Sequence, residues 1–214
     1  MDTIRLEHTF PEVFAKRSDL KSEVWQQDVL FERGKLYLVE ANSGTGKSSL
    51  CSFIYGYRQD YQGIITFDGN NIRNLRTKDW TRLRQRNLSL MWQELRLFPE
   101  LTALENVQIK NRLTGFKNKK DILKWFEELD ISDKLDTKVG LMSFGQQQRV
   151  AMIRALVQPF DFLFVDEPVS HLDDVNARKM ADIMMEEATR QGAGVIVTSI
   201  GKHVELNYDK TLLL

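Results

Sequence analysis

Apolar residues along this chain come in short runs separated by longer polar stretches with helical spacing. Leu36-Tyr37-Leu38-Val39 and Gly194-Val195-Ile196-Val197-Thr198 read as buried strands. Phe160-Asp161-Phe162-Leu163-Phe164-Val165 is nearly continuous, the pattern of a strand covered on both faces. Ile64-Ile65-Thr66-Phe67 reads as a strand closed by the turn Asp68-Gly69. Leu88-Ser89-Leu90-Met91-Trp92 and Thr211-Leu212-Leu213-Leu214 are further strand candidates. Between them the period changes. Residues 49–55 form a short apolar helix closed by Gly56. Thr102-Ala103-Leu104-Glu105 is a capping box that opens a helix to about Leu113. Ile122, Trp125, Phe126 and Leu129 share one helix face and read as core. Residues 145–157 read as a helix stopped by Pro159, and 173–190 as a helix capped by Gly192. The charged segment 75–86 reads as surface, and Lys117-Asn118-Lys119-Lys120 as a solvated basic run without function. Strands alternating with helices predict an α/β fold. The chain reads as one domain, 1–214, with a helical insertion at 94–140.

The stretch Ala41-Asn42-Ser43-Gly44-Thr45-Gly46-Lys47-Ser48-Ser49 sits between a strand and a helix. A glycine loop ending in Gly-Lys-Ser in that context is the pattern of a phosphate-binding loop. Gly44 and Gly46 let the backbone curl so that N–H groups converge on an anion. The helix beginning near Lys47 adds its positive end. Lys47 can reach the β- and γ-phosphates, and the Ser48 hydroxyl can ligate Mg²⁺. Ala41 stands where the pattern has a glycine, which predicts a slightly altered start to the loop.

A second signal lies at the end of the strand Phe162-Leu163-Phe164-Val165, where Asp166 and Glu167 follow. Ligands of open α/β sheets bind at the carboxyl ends of strands. Asp166 is the candidate metal carboxylate, and Glu167 the general base that polarises an attacking water.

Composition narrows the class of function. Lys+Arg and Asp+Glu both number 30, so the formal charge is zero, which argues against nucleic acid as a partner. Cys51 is the one cysteine, so there is no disulfide framework, as suits a reducing compartment, and it is read as core. No apolar run is long enough to span a bilayer, and the first residues do not form a signal peptide. Work at a membrane would then require a partner.

Met142-Ser143-Phe144-Gly145-Gln146-Gln147-Gln148-Arg149, Ser170-His171-Leu172-Asp173 and the stretch from Met91 through Gln93 to Thr102 complete a set of motifs in fixed order. With the loop and the acidic pair, they resemble the ATP-binding cassette family over nearly the whole chain. Residues 97–107 look most like cassettes of the lipoprotein-releasing and macrolide-exporter type. The resemblance implies a RecA-like P-loop core with an antiparallel β edge and an inserted helical subdomain. It implies ATP and Mg²⁺ as cofactors. Asn42, Ser43, Gly44, Thr45, Gly46, Lys47, Ser48 and Ser49 would bind the nucleotide. Ser143, Gly145 and Gln146 would complete the site of an opposing subunit, and Asp173 would couple the two sites. Gln93 would sense Mg²⁺ and the attacking water and touch the membrane partner. Metal ligands would be Ser48, Gln93 and Asp166. Phe10 or Phe14 would stack on adenine, a core role being the alternative for either.

Three positions depart from the family pattern: Ala41, Phe144 in place of a signature glycine, and Ser199 in place of the switch histidine. His203 could replace that histidine only if its loop is rearranged. The expected protein is a cytoplasmic ATPase subunit, peripheral to the membrane through a separate permease. It would work as a homodimer or beside a paralogous cassette. One alternative is a cassette that binds ATP and hydrolyses it slowly. The other is a soluble cassette acting outside transport.

Overall fold

The computed structural model describes residues 1–214 except 18–20, Ser43, Ser170 and Lys202. Strands β1 (Thr3–Pro11) and β2 (Asp28–Glu32) lead into β3 (Leu36–Glu40) and helix α1 (Lys47–Ile54). Then come β4 (Tyr61–Phe67), β5 (Asn70–Asn71), α2 (Thr77–Arg86) and β6 (Leu88–Met91). Helices α3 (Ala103–Asn111) and α4 (Lys119–Glu128) follow. The chain ends with α5 (Phe144–Leu156), β7 (Phe162–Asp166), α6 (Asp174–Gln191), β8 (Gly194–Ser199) and β9 (Lys210–Leu213).

These strands form two sheets. One is four-stranded and antiparallel, in the order β2-β1-β4-β5. The other is five-stranded and parallel, in the order β6-β7-β8-β3-β9. Alternation along the parallel strands sorts their side chains onto two cores. Leu36, Leu38, Leu163, Val165, Val195 and Val197 face one way, toward helices α3 to α6. Tyr37, Val39, Phe162, Phe164 and Ile196 face the other, toward α1 and the antiparallel sheet. Both faces are therefore covered, which explains why β3, β7 and β8 are apolar up to their carboxyl ends. Each fully buried Phe contributes roughly 2–3 kcal/mol of transfer free energy, and Phe31, Phe53, Phe126, Phe160, Phe162 and Phe164 are all buried.

The predicted helices form within a residue or two of their expected ends. Thr102 and Glu105 cap α3 reciprocally, at 3.1 and 2.8 Å. Ile122, Trp125, Phe126 and Leu129 are all buried, so the α4 stripe is core. Half of the segment 75–86 is exposed, and all of it but Leu75 and Arg76 is the helix α2. Its inward face is little more than Trp80, packed edge-on to Phe67 at 6.1 Å, so the charges masked the helical period. Among the described residues no helix is long and apolar enough to cross a membrane.

Lys117 corrects the reading of its basic run as solvated. Its ammonium lies 2.6 Å from the Glu187 carboxylate on α6, and both side chains are buried. It also sits over the Trp125 ring, 4.6 Å from the centroid. The Lys117 backbone exchanges hydrogen bonds with the Asn111 amide, which draws the lysine inward between α3 and α4. Burial pushes the Glu187 carboxyl up to about 7. A hydrogen bond from the Gln191 side chain opposes that push, and Lys117 and Arg190 approach the same carboxylate at 2.6 and 2.8 Å.

A buried ion pair broken on one side leaves an uncompensated charge. Glu187→Leu is therefore expected to cost about 3 kcal/mol, read as a lower urea midpoint with an unchanged slope. Adding Lys117→Met should recover most of the loss, because no charge then remains to be buried.

Candidate functional site

Parallel strands deliver their carboxyl ends to one edge. Met91 pairs with Val165, Asp166 with Thr198, and Ser199 with Glu40. Gln93, the Asp166–Glu167 pair, Ser199 and the glycine loop therefore emerge side by side from β6, β7, β8 and β3.

The loop begins without strain. Ala41 is not left-handed, so the alanine is accommodated without backbone strain. Its N–H donates to the Ser199 carbonyl at 2.9 Å and continues the sheet ladder. Gly46 then turns left-handed, at φ +102°, and caps α1. No side chain fits there. A Cβ on Gly46 would lie 2.9 Å from the Phe14 ring and 3.1 Å from Trp25. The Trp25 indole N–H donates to the Thr45 carbonyl at 2.8 Å, and the Thr45 hydroxyl donates to the Asn42 carbonyl at 2.8 Å. The loop is thus held from below by two aromatic side chains. Asn42 and Gly44 are exposed, and the expectation for Ser43 lies outside the described residues. Ser49 is turned away, accepting from Arg58 at 3.0 Å.

Lys47, the first residue of α1, points into the sheet edge. Its ammonium lies 2.7 Å from the Glu167 carboxylate, the two side chains 7% and 10% exposed. Glu167 reaches it from a left-handed backbone, φ +50°, with its N–H donating to the Thr198 carbonyl at 3.0 Å. Such a conformation in a non-glycine residue is uncommon and concentrates at functional sites. The neighbouring Asp166 accepts from the Thr198 hydroxyl, and the Ser48 hydroxyl lies 3.4 Å from its other oxygen. Burial pushes the Asp166 carboxyl up; Thr198 and Lys47 oppose this, while Glu167 and Glu94 add to it. A hydroxyl beside a buried carboxylate crowded by like charge is a donor set suited to a hard divalent cation. Gln93 is half-buried at the same edge.

A second group forms on α5 and the segment before α6. Ser143 caps α5, accepting from Gln146 N–H at 3.3 Å, while the Gln146 side chain accepts from Ser143 N–H at 3.0 Å. A Cβ on Gly145 would meet Leu172 at 3.1 Å, so the helix start and the 171–173 segment touch. The Phe144 ring lies edge-on to His171, centroids 4.5 Å apart. Asp173 caps α6 through Asn176 N–H at 2.9 Å. That backbone hydrogen bond, ahead of one from the Asn176 side chain, holds its carboxyl below the usual range. Asn176 in turn accepts from Arg149 of α5 at 2.9 Å.

Phe10 and Phe14 are both buried, Phe14 beneath Gly46. His203 lies with Nδ1 3.6 Å from Glu40. Cys51 is buried, and burial pushes its thiol well up, as expected of an inert core residue. Reading the sequence missed Trp25, Thr198 and Gln148. Gln148 is buried on α5 and donates to the Pro168 carbonyl at 3.3 Å, directly after Glu167. A buried glutamine next to a helix cap is a signal, but it does not say which loop it will hold.

A glycine loop, a lysine at a helix start and an Asp-Glu pair at a neighbouring strand end define a phosphate-loop nucleotide-binding protein. The family model described as ABC transporter matches residues 26–170, and the chain belongs to that family. A lipoprotein-releasing system ATP-binding protein, LolD, from Legionella pneumophila (strain Lens) is 30% identical over 190 residues, 87% of this chain and 84% of that protein. The uncharacterized ABC transporter ATP-binding protein YbbA of Escherichia coli (strain K12) is 28% identical over 190 residues, 87% of this chain and 83% of its own. The dimeric bacterial ABC transporter cassette MJ0796 has the same fold, with TM-score 0.76 at 23% identity over 92% of this chain and 87% of its own.

Gly46→Ala tests the support of the loop. The added methyl meets Phe14 and requires an unfavourable backbone, so about 2 kcal/mol of stability should be lost. For a chain of this size the thermal midpoint should fall by roughly 4–8 °C.

Proposed function

We propose that this chain is the ATP-binding and ATP-hydrolysing subunit of a transporter whose membrane permease is a separate polypeptide. The observation that carries the reading is the meeting of Lys47, Glu167, Asp166 and Ser48 at one sheet edge. The relatives' names support it, as does a solved structure of MJ0796 described as a post-hydrolysis dimer bound to ADP and Pi, similar to this chain with TM-score 0.75 at 22% identity over 92% of this chain and 87% of its own.

In this reading the loop N–H groups and Lys47 take the nucleotide phosphates. An arriving phosphate competes with Glu167 for Lys47, so binding frees the carboxylate to orient water and accept its proton. Ser48, Asp166 and Gln93 would hold Mg²⁺, which supplies charge neutralisation at the transferring phosphoryl group. The start of α5, with Ser143, Gly145 and Gln146, is aimed across an interface at the nucleotide of an opposing copy or paralogous cassette. Asp173 sits between the two sites. Residues 94–140 act as a helical subdomain, and the permease docks in the groove near Gln93 to Val107. The protein is cytoplasmic, at the membrane only through that permease.

Glu167→Gln separates binding from turnover. Glutamine keeps the shape, cannot take the proton and releases Lys47 to the phosphates. With Mg-ATP it should accumulate as a dimer on size-exclusion chromatography, while the double variant with Lys47→Ala stays monomeric. A Glu167→Gln protein that never dimerises and never binds ATP would remove the basis of the assignment.

The second reading, slow hydrolysis by the isolated protein, is favoured by Ser199. It is buried at the end of β8, where the resemblance places a histidine near the γ-phosphate. Loss of one such contact costs on the order of 3 kcal/mol, about a hundredfold in rate. Ser199→His should raise kcat with little change in KM, the mark of a contact made chiefly in the transition state. Steady-state ATPase assays, with thermal melts to check that the larger ring is accommodated, decide it.

A further inference from the structure

An open cleft lies at the other edge of the parallel sheet, remote from the glycine loop. Arg33 precedes β3, Arg86 closes α2 just before β6, and Phe160 and Asp161 precede β7. These are the amino ends of the strands whose carboxyl ends carry Lys47 and Glu167, and strands of this length separate the two edges by roughly 17 Å. The cleft has a volume of about 430 Å³. Arg33, Arg86 and Arg190 line it, and Phe116, Pro159 and Phe160 supply its apolar wall.

The walls are fixed by their own hydrogen bonds. The Arg33 guanidinium donates to the Gly192 and Gln191 carbonyls, both at 2.9 Å, and lies 3.2 Å from Asp161. The Gln191 side chain accepts from Phe160 N–H at 2.8 Å and donates to Glu187 at 2.6 Å. The exposed Phe116 ring has Lys117 at 4.9 Å and Arg190 at 5.9 Å from its centre. The charges do not balance. Lys117 and Arg190 share the single carboxylate of Glu187, which leaves one positive charge over. Arg86 has no carboxylate partner among the described residues and adds a second. Arg33 is matched by the buried Asp161, with the exposed Asp2 at 3.8 Å.

We propose that this cleft binds a small soluble organic phosphate, its phosphate among Arg33, Arg86 and Arg190 and its apolar body on the Phe116 ring. A phosphate monoester carries about −1.5 to −2 charges at neutral pH, which suits the surplus better than a single carboxylate does. Guanidinium forks match phosphate oxygens in geometry as well as charge. Sites for small organic ligands measure roughly 300–1,000 Å³, so the cleft has room for more than an oxyanion, and an exposed ring offers that remainder an apolar face. The fixed walls reduce the ordering needed on binding. Phe116 and Lys117 belong to the segment that joins α3 to α4, and Arg190 to α6, so the ligand ties the helical insertion to the core. It also competes with Glu187 for Arg190, as a phosphate at the other edge would compete with Glu167 for Lys47.

The full chain carrying 4-fluorophenylalanine in place of Phe116 is titrated with phenyl phosphate while the fluorine resonance is followed, so the readout is local to the cleft. A saturable shift is expected. Arg86→Gln, which removes no contact within the chain, should raise the half-saturating concentration about tenfold, and Arg190→Gln by a similar factor. Thermal melts of both variants should show the fold intact. Inorganic phosphate and benzyl alcohol, each lacking one half of the probe, should bind about tenfold more weakly or worse. Lys47→Ala should leave the titration unchanged, which separates this cleft from the glycine loop. No saturable shift, or a shift indifferent to both arginine substitutions, overturns the proposal. A response equalled by benzyl alcohol overturns the phosphate, and one lost in Lys47→Ala assigns the probe to the loop instead. Pelleting of the chain with phosphatidic acid vesicles that depends on Arg86, without any response to phenyl phosphate, gives the cleft to lipid headgroups and also overturns the soluble ligand.

Discussion

An ammonium buried beside a carboxylate is stable only while each has its partner, and the Lys47–Glu167 contact imposes that condition on the centre of this protein. Lys47 is fixed by the start of α1, and Glu167 by the end of β7. Their meeting requires that a loop from one strand and a turn from another, with β8 between them, end at the same height. The parallel register meets that requirement, and the two cores on either side of the sheet hold the register in place. A phosphate is the natural substitute partner for the lysine. In the proposed reading, binding would change the electrostatic state of the carboxylate.

The same economy appears around the pair. Thr198 restrains Asp166, Gln148 restrains the turn after Glu167, and Trp25 restrains the loop before Lys47. Each restraint comes from a different element. The geometry of the site is thus a property of the assembled fold and not of the glycine loop alone. Arg149 extends the chain of contacts, joining α5 to the cap of α6 through Asn176 and to the end of α4 through the Leu129 carbonyl.

What was legible in the sequence was local or periodic. The strand–loop–helix context of Lys47, the continuous apolar runs of the parallel strands and the α4 stripe each follow from spacing within a dozen residues. What was not legible depends on long-range placement. Trp25 precedes Thr45 by 20 residues, and Thr198 follows Asp166 by 32. Nothing in either neighbourhood names its partner. Lys117 was hidden by its basic neighbours, although Asn111 and Glu187 draw it inside. The helix α2 was hidden because Trp80 supplies most of its buried face. The expected change at the start of the loop rests on Ala41 replacing a glycine, and that position does not need a positive φ here.

The hydrogen bond from Trp25 to the Thr45 carbonyl has an optical consequence. Indole emission depends on what its N–H touches and on the field around the ring, and this N–H touches the phosphate loop itself. Of the four tryptophans, Trp80 and Trp125 belong to α2 and α4, while Trp92 is stacked on Arg96. The protein thus carries a native fluorophore wired to its loop. With the other indoles replaced, the state of the loop could be followed in real time without attaching a dye.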